Sequence, residues 1–144
     1  MTKFDIIGTL RTYAAAKGWI FLSGASWYQN YQATQANLTV STIVLGVDFD
    51  ASPTIINKSI TSIRYRGTMM LGRKKETTTE SSQDETFIQK YDNRLLALTP
   101  LLASTIGDVA CTNELEVTSC DFKLGLNMLD ENLDFVIGNV TLTQ

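Results

Sequence analysis

An apolar stripe at helical spacing, in residues 82–106, constrains the fold of this chain more than any other feature. From Phe87 to Ile106 large apolar side chains recur at steps of three and four residues, which keeps one face of an α-helix apolar. Thr99-Pro100 interrupts the stripe, because proline removes a backbone donor, and predicts a kink or a restart of the helix. We expect this long helix to cover a sheet.

A second helix is predicted over residues 2–17. Its apolar residues share one face, three consecutive alanines favour helix, and Gly18 can end it in the left-handed conformation. Most of the remaining chain alternates with a period of two, which is typical of β-strands. Strands are predicted at about 38–49, 60–71, 114–128 and 133–143.

Short breaks separate these predicted elements. Residues 50–53, which end in a proline, are expected to close the first strand, and residues 107–113 to turn the chain after the long helix. A phase shift predicts a bulge near Thr118 or Ser119. Residues 72–84 contain no aliphatic or aromatic side chain, so they predict a flexible polar loop.

The elements together predict a single α+β domain, residues 1–144, in the order α-β-β-α-β-β. Its antiparallel sheet of about four strands, built from hairpins, would pack against the long helix and the N-terminal helix.

The composition excludes several classes of site. The chain has 144 residues, no histidine and a formal net charge of −3, which excludes histidine triads and histidine metal sites and is unlike a nucleic-acid binder. The longest apolar run, residues 19–22, is far shorter than the ~20 residues that span a bilayer. The N-terminal stretch lacks the apolar segment of a signal peptide. We therefore expect no enzymatic activity, cofactor, metal or membrane contact.

The two cysteines, Cys111 and Cys120, match no zinc-binding spacing. We expect reduced, partly buried thiols, with a disulfide as the alternative.

Two groups of acidic residues have a weak resemblance to metal sites. Asp48 and Asp50 have the spacing of an acidic pair, and strand alternation puts both on one side, but no third ligand is visible. Solvent-facing acids at a strand end are the preferred interpretation. Residues 130–134 lack the glycine and glutamate of a calcium loop and predict a hairpin turn.

Basic residues on either side of residue 70 are candidate contacts to a neighbouring subunit or to DNA. They would attract phosphates without reading bases, and the alternative is a solvated loop. These residues are Arg64, Arg66, Arg73, Lys74 and Lys75.

An aromatic-rich stretch, residues 19–31, fits neither period. Aromatic residues with polar handles are common where one surface packs on another, although such a loop can also fold into its own core. The candidate subunit-interface residues are Trp19, Phe21, Trp27, Tyr28 and Tyr31.

The order of elements resembles that of the tail-terminator and tail-completion family of bacteriophages, with related ring proteins in crAss-like phages. A short helix, a strand pair with a polar loop, a covering helix and a closing hairpin follow one another over essentially the whole chain. The last strand, with a glycine at its middle, also resembles the family's ending, whereas residues 19–31 have no match there. The resemblance implies a structural virion protein, assembled in the host bacterial cytoplasm. It would form a homo-oligomeric ring in the head–tail connector or tail, with portal, neck or tail proteins as partners and DNA in its lumen.

Ring formation would use the edges of the sheet, because an edge strand presents unpaired amides and carbonyls. Residues 43–49 or 133–142 are the predicted edges. The alternative function is a small binding or adaptor domain that uses residues 19–31 to hold a peptide or ligand.

Overall fold

The computed structural model describes residues 4–25, 29, 32, 38–39, 42–74, 95–128 and 133–144. These residues form two helices and five strands in an α+β arrangement, which confirms the predicted class. The elements are α1 (Ile6–Lys17), β1 (Ile20–Ser23), β2 (Ile43–Ile56), β3 (Ser59–Lys74), α2 (Leu98–Thr112), β4 (Glu116–Met128) and β5 (Leu133–Thr143).

The sheet differs from the predicted antiparallel sheet of four strands. It has five strands in the order β1-β2-β3-β5-β4, and β1 pairs with β2 in parallel. The sequence concealed β1 because its apolar residues face both sides, so four residues show no period. The other neighbouring strands are antiparallel.

Helix α1 is fixed at both ends by local bonds. The Asp5 carboxylate accepts a hydrogen bond from the Gly8 amide at 2.9 Å, which satisfies one of the orphan donors of the first turn. At the other end Gly18 has φ 74°, its amide donates to Ala15, and the Trp19 amide donates to Ala14. This pair of bonds is a Schellman motif, which places β1 directly after the helix.

The β2–β3 hairpin extends further toward its turn than predicted, although β2 begins at Ile43 and not at residue 38. Strand β2 continues through Pro53, which was expected to end it, and the turn is a two-residue one at Asn57 and Lys58. Both turn residues have positive φ, as a type I′ turn requires. Pro53 is tolerated because the described part of β2 has no second neighbour beyond Val47, so the missing amide breaks no ladder there.

Helix α2 begins at Leu98 and ends at Thr112. Pro100 therefore lies in its first turn, where no amide donor is needed, although the N-cap is Ala97 and not Thr99. The predicted turn at residues 107–113 is wrong, because the buried stripe continues past Gly107 to Val109. Its burial outweighs the ~1 kcal/mol that a helical glycine costs. Residues 82–94 lie outside the described residues.

The second hairpin confirms two predictions. Strand β5 has the predicted bounds, and the register of β4 shifts between Val117 and Ser119, where the bulge was expected. The predicted loop at 72–84 begins too early, since β3 continues to Lys74. The rest of that loop and the turn at 130–132 lie outside the described residues.

The two faces of the sheet are covered differently. Both helices pack on one face, here called the helix face, over core residues that include Leu45, Leu71, Leu102 and Val136. The opposite face carries a smaller apolar cluster near one end, with Val44 among its members. Neither described helix has the length and apolar character that crossing a membrane would need.

Candidate functional site

The outer side of β4 is an open edge. This strand is the last in the sheet, so in the described part of the chain only β5 pairs with it. Residues 116–123 are exposed, and the edge includes Val117 and Phe122, which are 40% and 42% exposed. The backbone groups that point away from β5 can pair with a strand of another chain.

The other edge of the sheet is short and partly capped. Strand β1 has four residues, and the Ser23 amide donates to the Gln32 side-chain oxygen at 2.8 Å. A side chain thus occupies a donor of β1, whereas β4 offers an edge several times longer. The predicted edge at residues 133–142 is wrong, because β5 lies between β3 and β4, and in the predicted edge at residues 43–49 strand β1 pairs with Val44–Val47.

The β2–β3 hairpin extends beyond the rest of the sheet as a two-stranded ribbon. Strand β3 pairs with β5 only from Arg64 onward, so residues 52–62, here called the arm, have no other neighbour among the described strands. At ~3.3 Å per residue the arm extends roughly 20 Å past the last β3–β5 pair. Its tip is apolar: Ile55, Ile56 and Ile60 are 63%, 55% and 42% exposed.

A small hollow lies on the helix face beside β4. It has a volume of about 210 Å³, and Phe122, Leu124 and Val136 form its apolar part, while Thr99 borders it from the first turn of α2. Phe122 lies across Gly138, where an added Cβ would come within 3.0 Å of the ring. The absence of a side chain at that glycine is what lets the ring lie flat on β5.

A larger polar groove occupies the opposite face, at the end from which the arm projects. Its volume is about 660 Å³. Asp50 on β2 lies directly opposite Arg66 on β3. Asp48 and Arg64 are each two residues away along these strands and therefore point to the same face. The groove is lined by Asp48, Asp50, Arg64, Arg66, Gly67, Thr68, Thr118, Ser119, Asn139, Val140 and Thr141.

The groove combines two positive and two negative side chains with hydroxyl and amide groups. Among the described residues, neither arginine forms a hydrogen bond or an ion pair with a carboxylate. Such a surface can hold a polar group of either charge, but its two carboxylates have no third acidic neighbour to complete a metal site within the described chain. The Asp48–Asp50 pair is thus a solvent-facing acidic pair beside arginines.

The basic residues predicted to act together are separated by the sheet. Arg64 and Arg66 lie on strand β3 and point to the groove, whereas Arg73 lies on the same strand with the opposite parity and therefore on the helix face. Lys74 ends the strand, and Lys75 lies outside the described residues. Arg64 and Arg66 therefore do not form one basic patch with Arg73.

The aromatic residues predicted for an interface are only partly described. Trp19 and Phe21 are half-buried against the core beside α1, where Trp19 packs on Tyr13 and the Arg11 guanidinium lies 5.4 Å from the Phe21 ring centre. Trp27, Tyr28 and Tyr31 lie outside the described residues. Trp19 and Phe21 therefore contribute to the packing of their own subunit.

Both cysteines are free and exposed, which corrects the expectation of partly buried thiols. Cys120 lies on β4, and desolvation raises the pKa of its thiol above the ordinary value, with a further rise from the Asp121 carboxylate. Cys111 lies near the end of α2.

Sequence reasoning missed the two most exposed features, the β4 edge and the isoleucine tip. The only signal for the tip was three isoleucines on both sides of Asn57-Lys58, a dipeptide that suits a hairpin turn poorly compared with Asn-Gly. No family model matches the chain, and no curated protein matches its sequence.

Proposed function

We propose that this chain is a structural subunit that assembles into a homo-oligomeric ring in the neck or tail of a bacteriophage. The open edge of β4 is the observation that carries the proposal. Proteins that remain single usually protect a long edge strand with a covering loop, inward charges or proline. The sequence of β4 contains no proline, and its edge includes two exposed apolar side chains, Val117 and Phe122, beside three exposed charged residues and a bulge at residues 117–119.

Strand addition explains how such an edge joins subunits. Backbone hydrogen bonds between β4 and a neighbouring strand would supply the pairing, and the exposed apolar side chains would supply burial at ~25 cal/mol per Å². A contact between two different surfaces closes into a ring when its rotation divides a full turn.

The phage setting rests on the resemblance in the order of elements. The helix that precedes the sheet, the long hairpin, the covering helix and the closing hairpin agree with that order, while β1 is an addition to it. Partners at the portal, neck or tail would meet the ring after it has formed, and no enzymatic role is proposed.

Size-exclusion chromatography with light scattering, followed by negative-stain microscopy, tests the proposal. We expect a discrete cyclic oligomer at micromolar concentration, with a mass that is a whole multiple of 16.0 kDa. A strict monomer that also fails to join a portal or tail protein would contradict the proposal.

The two exposed cysteines provide a matched probe of the same surface. Alkylation of Cys120, on β4, should slow as the protein is concentrated, whereas alkylation of Cys111, on α2, should keep its rate. The change in the ratio of the two rates is the readout, since the raised pKa of Cys120 slows its reaction at every concentration.

The polar groove favours a second candidate, a small ligand-binding domain. Its size is that of a small-molecule site, and Arg64 and Arg66 would orient an anionic group there. Under this alternative the protein stays monomeric, and an Arg66→Ala variant loses ligand binding without a change of mass.

A further inference from the structure

The arm carries an apolar tip that its own subunit does not use. Ile55 and Ile60 are cross-strand neighbours, Ile56 follows directly, and none belongs to either described core cluster. Ile55 and Ile60 share one face of the ribbon and Ile56 points to the other face, so exposed apolar side chains lie on both faces of the tip.

The same chain offers an apolar site of matching kind. The hollow beside β4 has an apolar part, formed by Phe122, Leu124 and Val136, and a polar rim of Thr99 and Lys123; Phe122 remains 42% exposed. Directly along its rim runs the open backbone edge of β4. The outer backbone groups of the arm are unpaired on both sides among the described strands. The arm can therefore form strand hydrogen bonds with another chain and bury its apolar tip in the same contact.

One subunit cannot bring these two surfaces together. Through the strand register, Leu124 lies level with Val136 and Leu71, whereas the arm ends at Asn57. Phe122 lies level with Gly138 and Met69, and the distance from Ile60 to Met69 along β3 is roughly 30 Å at ~3.3 Å per residue. Only another molecule can fill the hollow with these isoleucines.

We infer that the arm of one copy docks on β4 of the next copy, with Ile55 and Ile60, which share one face of the arm, in the Phe122 hollow. This inference rests on the proposed function and names its contact. The contact is heterologous, because the arm and the hollow are different surfaces of the chain, so each copy gives one arm and receives one. An apolar patch that fits a pocket elsewhere on the same molecule propagates in this way until the ring closes.

Two variants separate the donor from the acceptor. Ile55→Ser with Ile56→Ser and Ile60→Ser removes the apolar tip, and its thermal stability should stay close to that of the wild type because these residues are exposed. Phe122→Ser empties one wall of the hollow. Thr99→Lys blocks the hollow from α2 and serves if Phe122→Ser unfolds.

Ser59→Ala, at the same tip, is the matched control. It leaves the isoleucines in place and should assemble as the wild type does.

Mixing the two variants is the decisive experiment. Each variant alone should be monomeric by light scattering, because every contact lacks one side. A mixture should give a one-to-one heterodimer, since the hollow variant still has an intact arm and the arm variant still has an intact hollow. A self-complementary contact through β4 alone would give no such rescue.

The outcomes distinguish this inference from the proposed function. If the arm variant forms rings of wild-type mass, or if the mixture stays monomeric when both variants alone are monomeric, the inference is overturned while the ring stands. If the wild type is monomeric and binds only a different neck or tail protein through the arm, this contact between copies is overturned. If the wild type neither assembles nor binds a portal or tail protein, both proposals fail.

Discussion

The two ends of the β2–β3 hairpin are built from similar residues and have opposite surroundings. At one end Leu45 faces Leu71 across the strand pair, and both are fully buried between the sheet and the helices. At the other end Ile55 faces Ile60, and both are exposed. The hairpin is continuous, so the difference arises from the neighbouring strands, which stop before the arm begins.

Strand pairing and core formation are therefore separate properties of this hairpin. A ribbon of two strands is only marginally stable by itself in water, and the arm is held by its continuation into a five-stranded sheet. Apolar residues on such a ribbon add little to the folded monomer. Their value lies in what they contact outside it.

Substitutions at the two ends of the hairpin should change the free energy of unfolding by very different amounts. Leu71→Ala should lower the free energy of unfolding by about 2–5 kcal/mol, because it leaves a cavity in the core. Ile56→Ala, in the arm, should change it by less than about 0.5 kcal/mol. Urea denaturation followed by circular dichroism measures both, and equal losses would mean that the arm is part of the core.

An intermediate loss of stability is expected at Gly67, where β3 lies close to the backbone of β2. An alanine at Gly67 would place its Cβ against the Asp48 carbonyl oxygen and 2.7 Å from the Phe49 Cα. Gly67→Ala should therefore cost about 1–3 kcal/mol of unfolding free energy.

Gly107→Ala is the control for the loss of a glycine. No atom lies within 4 Å of the added Cβ, and the site is helical, so this variant should gain up to ~1 kcal/mol. A neutral Gly67→Ala would show that β2 and β3 can move apart at this position without a loss of stability.

A small, pH-dependent effect on stability is expected where the two helices meet on the helix face. The Tyr13 hydroxyl donates to the Asp108 carboxylate at 2.8 Å, and joins α1 to α2. Desolvation raises the pKa of Tyr13 above its ordinary value, and the hydrogen bond to Asp108 raises it further, while the Thr105 hydroxyl lowers it. The folded state therefore holds this proton more tightly than the unfolded state does.

The resulting stability is complete below the ordinary tyrosine pKa of about 10 and is lost as the pH rises through the higher folded pKa. Tyr13→Phe should reduce the decline in unfolding free energy as the pH rises above about 10. Ile56→Ala should keep the wild-type profile. If Tyr13→Phe declines as steeply as the wild type, the contact does not contribute.

Local signals predicted those parts of the fold that local chemistry decides. Gly18 ended α1 as expected because a left-handed residue was required there, and the phase shift at Thr118–Ser119 located the bulge in β4. Pro53 and Gly107 were both predicted to break an element, and neither does. Among the described strands, Pro53 is tolerated because its side of β2 has no neighbouring strand, and Gly107 because the buried stripe of α2 continues past it.

The candidate site was the least predictable part. Strand patterns give the order of strands along the chain, but the order across the sheet depends on long-range pairing. Nothing local to Glu116–Met128 distinguishes an outer strand from an inner one, so the exposed edge was assigned to residues 43–49 or 133–142. The arm was missed for the same reason, because Ile55 and Ile60 look like core residues until their neighbours are known.

The position of β5 between β3 and β4 also sets an order of events during synthesis. β4 leaves the ribosome before β5, yet it can join the sheet only through β5. In that interval β3 and β4 have no native partner at the sites that β5 will occupy, and nascent chains on one message are close together. We expect the interval to be the time of greatest risk of premature pairing between chains, and a chaperone that shields β4 would act then.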